Sequence, residues 1–195
     1  FEPRYRQMIH HCLEHNLMLG VCHTSKVVHA KPQQQTLQEA MNSNQATYKP
    51  VSVFSAGPVE LREELTDGRM LISVHAAHRL TLGTERQTLP FSIWDCDILL
   101  DEEAPDEATR EANANSQEKI LQRLIAMTDN NPSVQEQLKS AHWRDMEPGD
   151  FSFAVSGILG IPPELSQELL ETTDTGYRLE RILGLLNGST TGRAS

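Results

Sequence analysis

The feature that most constrains the fold is a change in the spacing of apolar residues near Ala104. Before it, residues 48–100 read as short strands separated by turn residues: "YKPVSVFSAGPVEL", "LTDGRMLISVH", "RLTLG" and "LPFSIWDCDILL". Asp67 and Gly68 form a strong turn signal, and four or five such strands predict a small antiparallel barrel or sandwich. Beyond Ala104 the spacing becomes helical, so the sequence predicts an α+β protein whose β-rich part comes first.

The N-terminal segment is predicted to be a helix followed by a strand and a polar loop. The helix has one apolar stripe, formed by Tyr5, Met8, Ile9, Cys12 and Leu13. The apolar run 17–22 predicts a strand. The stretch 30–49 is rich in Gln and Asn and has no apolar period, so it predicts a surface loop.

The second half of the chain is predicted to contain one long helix and several shorter ones. The buried side of the long helix is marked by Ile120, Leu121, Leu124 and Ile125. A final helix carries a similar stripe of Leu179, Ile182, Leu183 and Leu186. Between them, Asn131 with Pro132 can start one helix, and Pro162 with Pro163 can start another.

A further helix is predicted between these two, with Asp150 as its N-cap and Gly160 at its end. Its apolar positions are Phe151, Val155, Ile158 and Leu159. The predicted boundaries are therefore a β-rich subdomain over 1–104, a helical subdomain over 105–188 and a disordered tail over 189–195. The carboxylates clustered in 97–111 are expected to form a solvated, self-repelling segment.

Composition excludes several classes of function. The chain has 195 residues, 38% of them apolar, and a formal net charge of −10 without any basic cluster, which disfavours binding to nucleic acid. No run reaches the roughly 18 apolar residues that a membrane span needs. Three widely spaced cysteines fit neither a disulfide framework nor a zinc site. We therefore expect reduced thiols, no membrane contact and a cytoplasmic location.

One stretch has the spacing of a metal site. "HCLEH", from His11 to His15, matches the H-x-x-E-H pattern in which two histidines bind zinc and Glu14 acts as base. On the predicted helix both histidines lie on the flank of the apolar face, and Glu14 points almost opposite to it. A surface position accounts for this placement, and no third ligand can be named. Because phosphate-binding and esterase motifs are also absent from the sequence, we predict no catalytic residues and no cofactor.

Three arginines lie in or beside predicted helices and strands. Arg4, Arg69 and Arg79 are each expected to extend to solvent or to pair with a carboxylate, because an unpaired buried charge is costly. Glu2 and Asp67 are the nearest carboxylates along the chain.

The opening stretch "FEPRYRQMI" resembles the most characteristic motif of the LON substrate-binding domain, the N-terminal domain of Lon proteases. Three other stretches are similar to that family: "SAGPVEL", "LTDGRMLISVHAAHRLTL" and the helical "GILGIPPELSQELLETTDTGYRLERILGLL". The resemblance covers nearly the whole chain. The residues that match the family motif, to which we assign a structural role, are Phe1, Glu2, Pro3, Arg4, Tyr5, Asp67, Gly68, Arg69 and Arg79.

The resemblance implies a PUA-like β pseudo-barrel followed by an α-helical subdomain. In the family two apolar strands precede the first motif, so the barrel here is expected to lack its first strands. The sequence departs from the family at "VHAAHRL", where a Gly usually precedes the Arg, and in the polar stretch 30–49, which resembles an insertion. Neither the ATPase module nor the Ser-Lys protease domain of Lon fits into the chain, which therefore looks like a stand-alone domain.

The function implied is a non-catalytic module that binds polypeptide or a protein partner, through an apolar groove or a strand edge that accepts an extended peptide. The sequence does not locate that surface, and it leaves a homo-oligomer open. The alternative is a zinc-dependent hydrolase that uses His11, Glu14 and His15. A third interpretation, RNA binding by analogy with PUA-like proteins, is disfavoured by the acidic charge.

Overall fold

The computed structural model describes residues 3–29 and 47–188. The chain divides between Leu99 and Leu100 into two compact units, a few residues before the boundary at 104 that the sequence predicts. The first unit is built on antiparallel strands and the second on helices, so the predicted mixed α+β class is confirmed. None of the described helices is long and apolar enough to cross a membrane.

In its described part, the first unit contains a helix and seven strands. They are α1 (Pro3–His15), β1 (Met18–Val21), β2 (Thr24–His29), β3 (Thr47–Pro50), β4 (Val53–Glu64), β5 (Met70–Val74), β6 (His78–Gln87) and β7 (Ile93–Ile98). The predicted helix and the predicted strand at 17–22 are both confirmed. β2 is a strand that the sequence did not indicate. The prediction of a loop over 30–49 is wrong for its last residues, because β3 begins at Thr47. The rest of the predicted loop, 30–46, lies outside the described residues.

The strands of the first unit form two antiparallel sheets. The larger has the order β1-β4-β6-β7, with β5 also paired to β4, and the smaller consists of β2 and β3. The predicted turn at Asp67 and Gly68 is confirmed: Gly68 N donates to Leu65 O over 2.9 Å. Gly68 has φ of 81°, which an L side chain rarely adopts, so glycine is needed there.

Gly57, in the middle of β4, allows the backbone that connects β5 to β6 to approach this strand closely. A Cβ at this position would overlap the carbonyl oxygen of His75 and lie 3.2 Å from Ala77 N. Both contacts are with backbone, which cannot rotate away as a side chain can. The glycine is therefore required by packing.

Two small clusters of side chains make up the core of the first unit. One comprises Ile9, Cys12, Val59 and Met70, and the other comprises Phe54, Ala56 and Leu80. The apolar stripe predicted for α1 is correct at Ile9 and Cys12 but wrong at Leu13, which is exposed, whereas Arg4 is buried on the same helix. The long stem of an arginine can pack like an apolar side chain, which a count of apolar residues does not detect.

The described second unit consists of six helices: α2 (Glu107–Met127), α3 (Pro132–Leu138), α4 (Ala141–Arg144), α5 (Pro148–Leu159), α6 (Pro163–Glu171) and α7 (Thr175–Gly188). Their core contains the buried residues Ile120, Leu121, Leu124, Leu138, Phe151, Val155, Leu169, Leu179, Ile182 and Leu186. The stripes predicted for α2 and α7 are confirmed. Ile158 is an error, because it is exposed on α5. The predicted tail 189–195 lies outside the described residues.

Side chains cap the starts of α2 and α3, whereas α5 begins at a proline. Asp106 caps α2 by accepting from Thr109 N over 2.8 Å, and Asn131 caps α3 as predicted. Asp150 is not the cap of α5, because that helix begins two residues earlier at Pro148 and places Asp150 in its first turn. Proline is favoured at a first helical position, since the amide it lacks would have no partner there. Gly160 ends the helix with φ of 58°, as predicted.

A buried arginine organises the helical unit. Arg178 is fully buried, and its Nε donates to Ser152 Oγ over 2.9 Å. Nη1 donates to Asp101 Oδ1 (2.7 Å) and Thr172 O (2.8 Å), while Nη2 donates to Asp101 Oδ2 and Thr175 Oγ1. The prediction that the carboxylates of 97–111 are all solvated is therefore wrong for Asp101, which forms a bidentate pair with this guanidinium.

Candidate polypeptide-binding edge

The candidate site lies where α1 ends and β1 begins. Asn16 has φ of 52°, the left-handed conformation that commonly ends a helix. Leu17 N donates to Cys12 O over 3.0 Å and closes the turn. The chain then runs directly into β1, so the end of α1 and the first strand are joined by a short, hydrogen-bonded connection.

β1 is the end strand of the larger sheet. Its four residues pair with β4 from Met18 opposite Pro58 to Val21 opposite Ser55. Among the described strands, none pairs with the other edge of β1. An edge of this kind presents backbone N–H and C=O groups to which an extended chain can add as a further strand.

Exposed apolar side chains are concentrated around β1. Leu13 and Leu17 are each 40% exposed, Met18 is 47% exposed and Val21 is 59% exposed. We name these four residues, together with the outer edge of β1, the apolar edge. No residue of β1 is charged, so neither desolvation nor repulsion of a charge opposes the addition of an apolar chain.

The opposite end of the sheet has different chemistry. β7 carries Asp95 and Asp97, and Asp95 pairs with Arg86 of β6. Charges on an edge strand are a common means of preventing edge-to-edge association. Of the two ends of the path β1-β4-β6-β7, the apolar edge is therefore the better candidate for binding an extended polypeptide.

The two histidines of the zinc motif lie together on the surface of α1. The His11 and His15 ring centroids are 4.2 Å apart, and the Nδ1 of His15 lies 3.0 Å from the carbonyl oxygen of His11. Glu14 is exposed on the same helix. In the described ranges, no group of three His, Cys, Asp or Glu side chains is placed to hold a metal ion.

Among the residues of the family motif, those on α1 pack locally. Phe1 and Glu2 lie outside the described residues, so the pairing of Glu2 with Arg4 stays a prediction. Pro3 is the first residue of α1, and buried Arg4 places Nη2 3.3 Å from Tyr5 OH, with its guanidinium carbon 4.8 Å from the centre of that ring. Both contacts join neighbouring residues in the first turn of α1.

The second part of the motif forms a turn. Arg69 N donates to Asp67 Oδ1 over 3.1 Å, and Arg69 Nε lies 2.9 Å from Oδ2, which confirms the predicted partner. The backbone hydrogen bond is the main reason that the pKa of Asp67 is lowered, and the Arg69 side chain adds to it. Arg79 is half-buried on β6, where its carbonyl accepts from Leu99 N over 2.8 Å.

The cysteines Cys12, Cys22 and Cys96 are free thiols. Burial raises the pKa of Cys12, and it is also the main cause of the raised pKa of Cys96. A raised pKa leaves less of the reactive thiolate at neutral pH, so neither side chain has the character of a catalytic nucleophile.

Comparison with known proteins identifies the family. The family model of the ATP-dependent protease La (LON) substrate-binding domain matches residues 1–188. The fold is similar to the N-terminal domain of a Mycobacterium avium complex Lon protease, with a TM-score of 0.54 and 13% identity over 88% of this chain and 90% of that one. It is also similar to a Lon N-terminal domain protein from Xanthomonas campestris, with a TM-score of 0.52 and 15% identity over 94% of this chain and 85% of that one.

No curated protein matches the sequence significantly. The family match nevertheless spans almost the whole chain, and both structural neighbours share its mixed α+β fold. The chain belongs to the family of the LON substrate-binding domain.

Proposed function

We propose that this protein is a non-catalytic module that binds extended, unfolded polypeptide along the apolar edge. Membership of a substrate-binding family supports the class of function. The observation that carries the proposal is the outer edge of β1, which has no described partner strand and is flanked by exposed apolar side chains. We further propose a cytoplasmic location, no cofactor and no nucleic-acid partner.

The physical mode is strand addition. A bound segment would pair its backbone with β1, which requires no particular sequence and suits a protein that receives many unfolded chains. Side chains alternate between the two faces of a strand, so Met18 and Gly20 would flank one face of the added strand while Leu19 and Val21 flank the other. Apolar side chains of the ligand would add burial against Met18 and Val21, worth roughly 25 cal/mol per Å².

In this proposal the family-motif residues hold the fold and do not contact the ligand. Arg4 packs against Tyr5 on α1, and the Asp67–Arg69 turn joins β4 to β5. Substitution of the buried motif residue Arg4 should therefore lower stability before it changes affinity. Binding and stability measurements on the same variant separate the two roles.

The first test measures binding of a fluorescein-labelled, permanently unfolded polypeptide, such as reduced and carboxymethylated α-lactalbumin, by fluorescence anisotropy. Val21→Lys places a charge on the apolar edge, and we expect it to weaken binding at least tenfold, about 1.4 kcal/mol. Leu71→Lys is the matched control, because Leu71 is exposed to the same 59% on β5 but lies outside the apolar edge. We expect the control to bind like the parent.

Two results would contradict the proposal. Equal binding by the Val21→Lys and parent proteins would exclude the apolar edge as the site. Bound zinc, measured by elemental analysis of the same samples, together with peptide cleavage that His11→Ala abolishes, would favour the hydrolase instead.

A further inference from the structure

A cavity in the helical unit has a chemistry that the proposed function does not use. It is open to solvent, lies between α2 and α7 and has a volume of about 350 Å³. Four of its lining residues come from α2 and two from α7: Lys119, Gln122, Arg123, Ala126, Leu183 and Asn187. One wall is thus cationic, in a chain whose net charge is −10.

The two cations of this wall lie one helical turn apart. Lys119 and Arg123 are in an i, i+4 relation on α2, where like charges destabilise a helix. In the part of the chain that the structure describes, neither forms an ion pair. On the same helix Arg110 does pair, with Glu107 at 2.5 Å. The repulsion at Lys119 and Arg123 is therefore unrelieved by the described protein.

The guanidinium of Arg123 also has an unmet hydrogen-bonding need. Its Nη2 donates to Asn187 Oδ1 over 3.1 Å, which orients the side chain across from α2 to α7. Its Nε is shielded from solvent and meets no acceptor among the described atoms. A buried N–H without an acceptor is unfavourable. Because this Nε is shielded, a ligand would contact the outer N–H groups of the guanidinium, at Nη1 and Nη2.

The position of the cavity restricts the anion that it can accept. Arg123 is close to the C-terminal end of α2 at Met127, and Asn187 is in the last turn of α7. Helix C-termini carry a partial negative charge, which opposes the concentrated charge of a phosphate group more than the single charge of one carboxylate group. The side chains of Ala126 and Leu183 provide apolar wall beside the cations.

We infer that this cavity binds a carboxylate carried on a short aliphatic chain. The carboxylate would lie between Lys119 and Arg123, where a guanidinium offers a planar pair of donors, and the aliphatic part would contact Leu183. The same chemistry is supplied by a free dicarboxylate such as glutarate or by a glutamate side chain of a peptide. This inference is independent of the apolar edge, since it rests on residues of the helical unit alone.

The test is isothermal titration calorimetry of the full chain with glutarate at constant ionic strength. We expect saturable binding that weakens at least tenfold in Lys119→Gln and in Arg123→Gln. Arg144→Gln is the matched control, because it removes one exposed positive charge from the same unit without touching the cavity. Lys119 is exposed, so its replacement should leave the fold intact, which circular dichroism verifies.

A second arm identifies the source of the carboxylate. The peptide acetyl-Glu-Leu-Glu-amide is compared with its glutamine counterpart and with inorganic phosphate. Tighter binding of the glutamate peptide than of glutarate would assign the site to an acidic peptide, and the reverse would assign it to a small dicarboxylate. No saturable binding of either, equal binding of phosphate, or an equal loss in Arg144→Gln would overturn the inference.

Discussion

Two aspartate–arginine pairs, one in each unit, show how differently the same ion pair can be used. In the β-rich unit Asp67 and Arg69 are two residues apart in a turn, and their side chains are 47% and 60% exposed. In the helical unit Asp101 and Arg178 are 77 residues apart, and the arginine is fully buried. The first pair completes a local turn, whereas the second joins distant parts of the chain.

The difference in burial determines what each pair contributes to stability. A solvent-exposed pair gains little, because water and salt screen the charges. A buried pair loses hydration, and it is stable only if every donor and acceptor is matched. The contacts of Arg178 with Asp101, Ser152, Thr172 and Thr175 meet that condition. We therefore expect the helical unit to depend on one arginine and the β-rich unit on backbone packing.

The largest effect is expected from Arg178→Met. This change keeps an apolar stem but leaves Asp101 and Ser152 without their donor, and loss of one partner of a buried pair typically costs about 3–5 kcal/mol. Urea unfolding followed by circular dichroism measures it. Arg181→Met is the matched control one turn further along α7, where an exposed pair with Glu168 is lost, and it should change the midpoint far less. Similar midpoints for the two variants would contradict the assigned role of Arg178.

The β-rich unit should be most sensitive at Gly57. Gly57→Ala would force apart two backbone segments at His75, so we expect a loss of about 1–3 kcal/mol, typical of overpacking. Gly184→Ala is the contrasting variant, because nothing lies within 4 Å of a Cβ at that position of α7. It should stabilise the helix by roughly 1 kcal/mol. Thermal unfolding of both variants measures the two effects. A Gly57→Ala protein more stable than the parent would disprove the close approach of the His75 backbone to Gly57.

A smaller, pH-dependent effect is expected at the start of α2. The hydrogen bond from Thr109 N is the main cause of the lowered pKa of Asp106. Because the folded pKa lies below the unfolded one, this carboxylate stabilises the fold above the unfolded pKa, and the contribution is lost as the pH falls through the folded pKa. Asp106→Ala should therefore be less stable than the parent at neutral pH, with a difference that shrinks in acid. A difference that grows in acid would contradict the cap.

The smallest effect is expected from Arg69→Ala. The Asp67–Arg69 pair is exposed on both sides, and the backbone N–H of residue 69 can still donate to Asp67 in the variant. We expect a urea midpoint equal to that of the parent within the error of the measurement. A large shift would show that this turn depends on the guanidinium and would remove the contrast with Arg178.

Short-range patterns made much of the fold predictable from the sequence. The stripes of α2 and α7 followed from helical spacing, and the turn at Asp67 and Gly68 from turn chemistry. The start of α3 at Asn131 followed from its capping side chain. Each of these features depends on residues within a few positions of one another, so a single sequence contains the whole signal.

Features that depend on distant partners could not be predicted in the same way. Nothing near Asp101 indicates that it meets Arg178, so its neighbours suggested a solvated segment. Asp150 was predicted to cap α5, but the helix begins two residues earlier at Pro148, and Asp150 lies in its first turn. The strand β2 was missed because its pairing with β3 spans the polar stretch 30–46.

The sequence predicted the type of candidate site but not its position in the fold. The apolar run at 17–22 indicated a strand, and the family resemblance implied that an extended peptide would bind to an edge or groove. Which strand lies at the edge depends on the order β1-β4-β6-β7, which is set by long-range pairing. The cavity between α2 and α7 was not predicted. Its residues come from two helices that are far apart in sequence, with Arg123 and Asn187 separated by 64 positions.

The most direct test of the central claim is hydrogen–deuterium exchange of the full chain, measured by mass spectrometry with and without the unfolded polypeptide. Binding along the apolar edge predicts that peptides covering β1 (Met18–Val21) become protected when polypeptide is added, while those covering β7 (Ile93–Ile98) do not change. Unchanged exchange in β1 at saturating polypeptide, or protection confined to β7, would contradict the account.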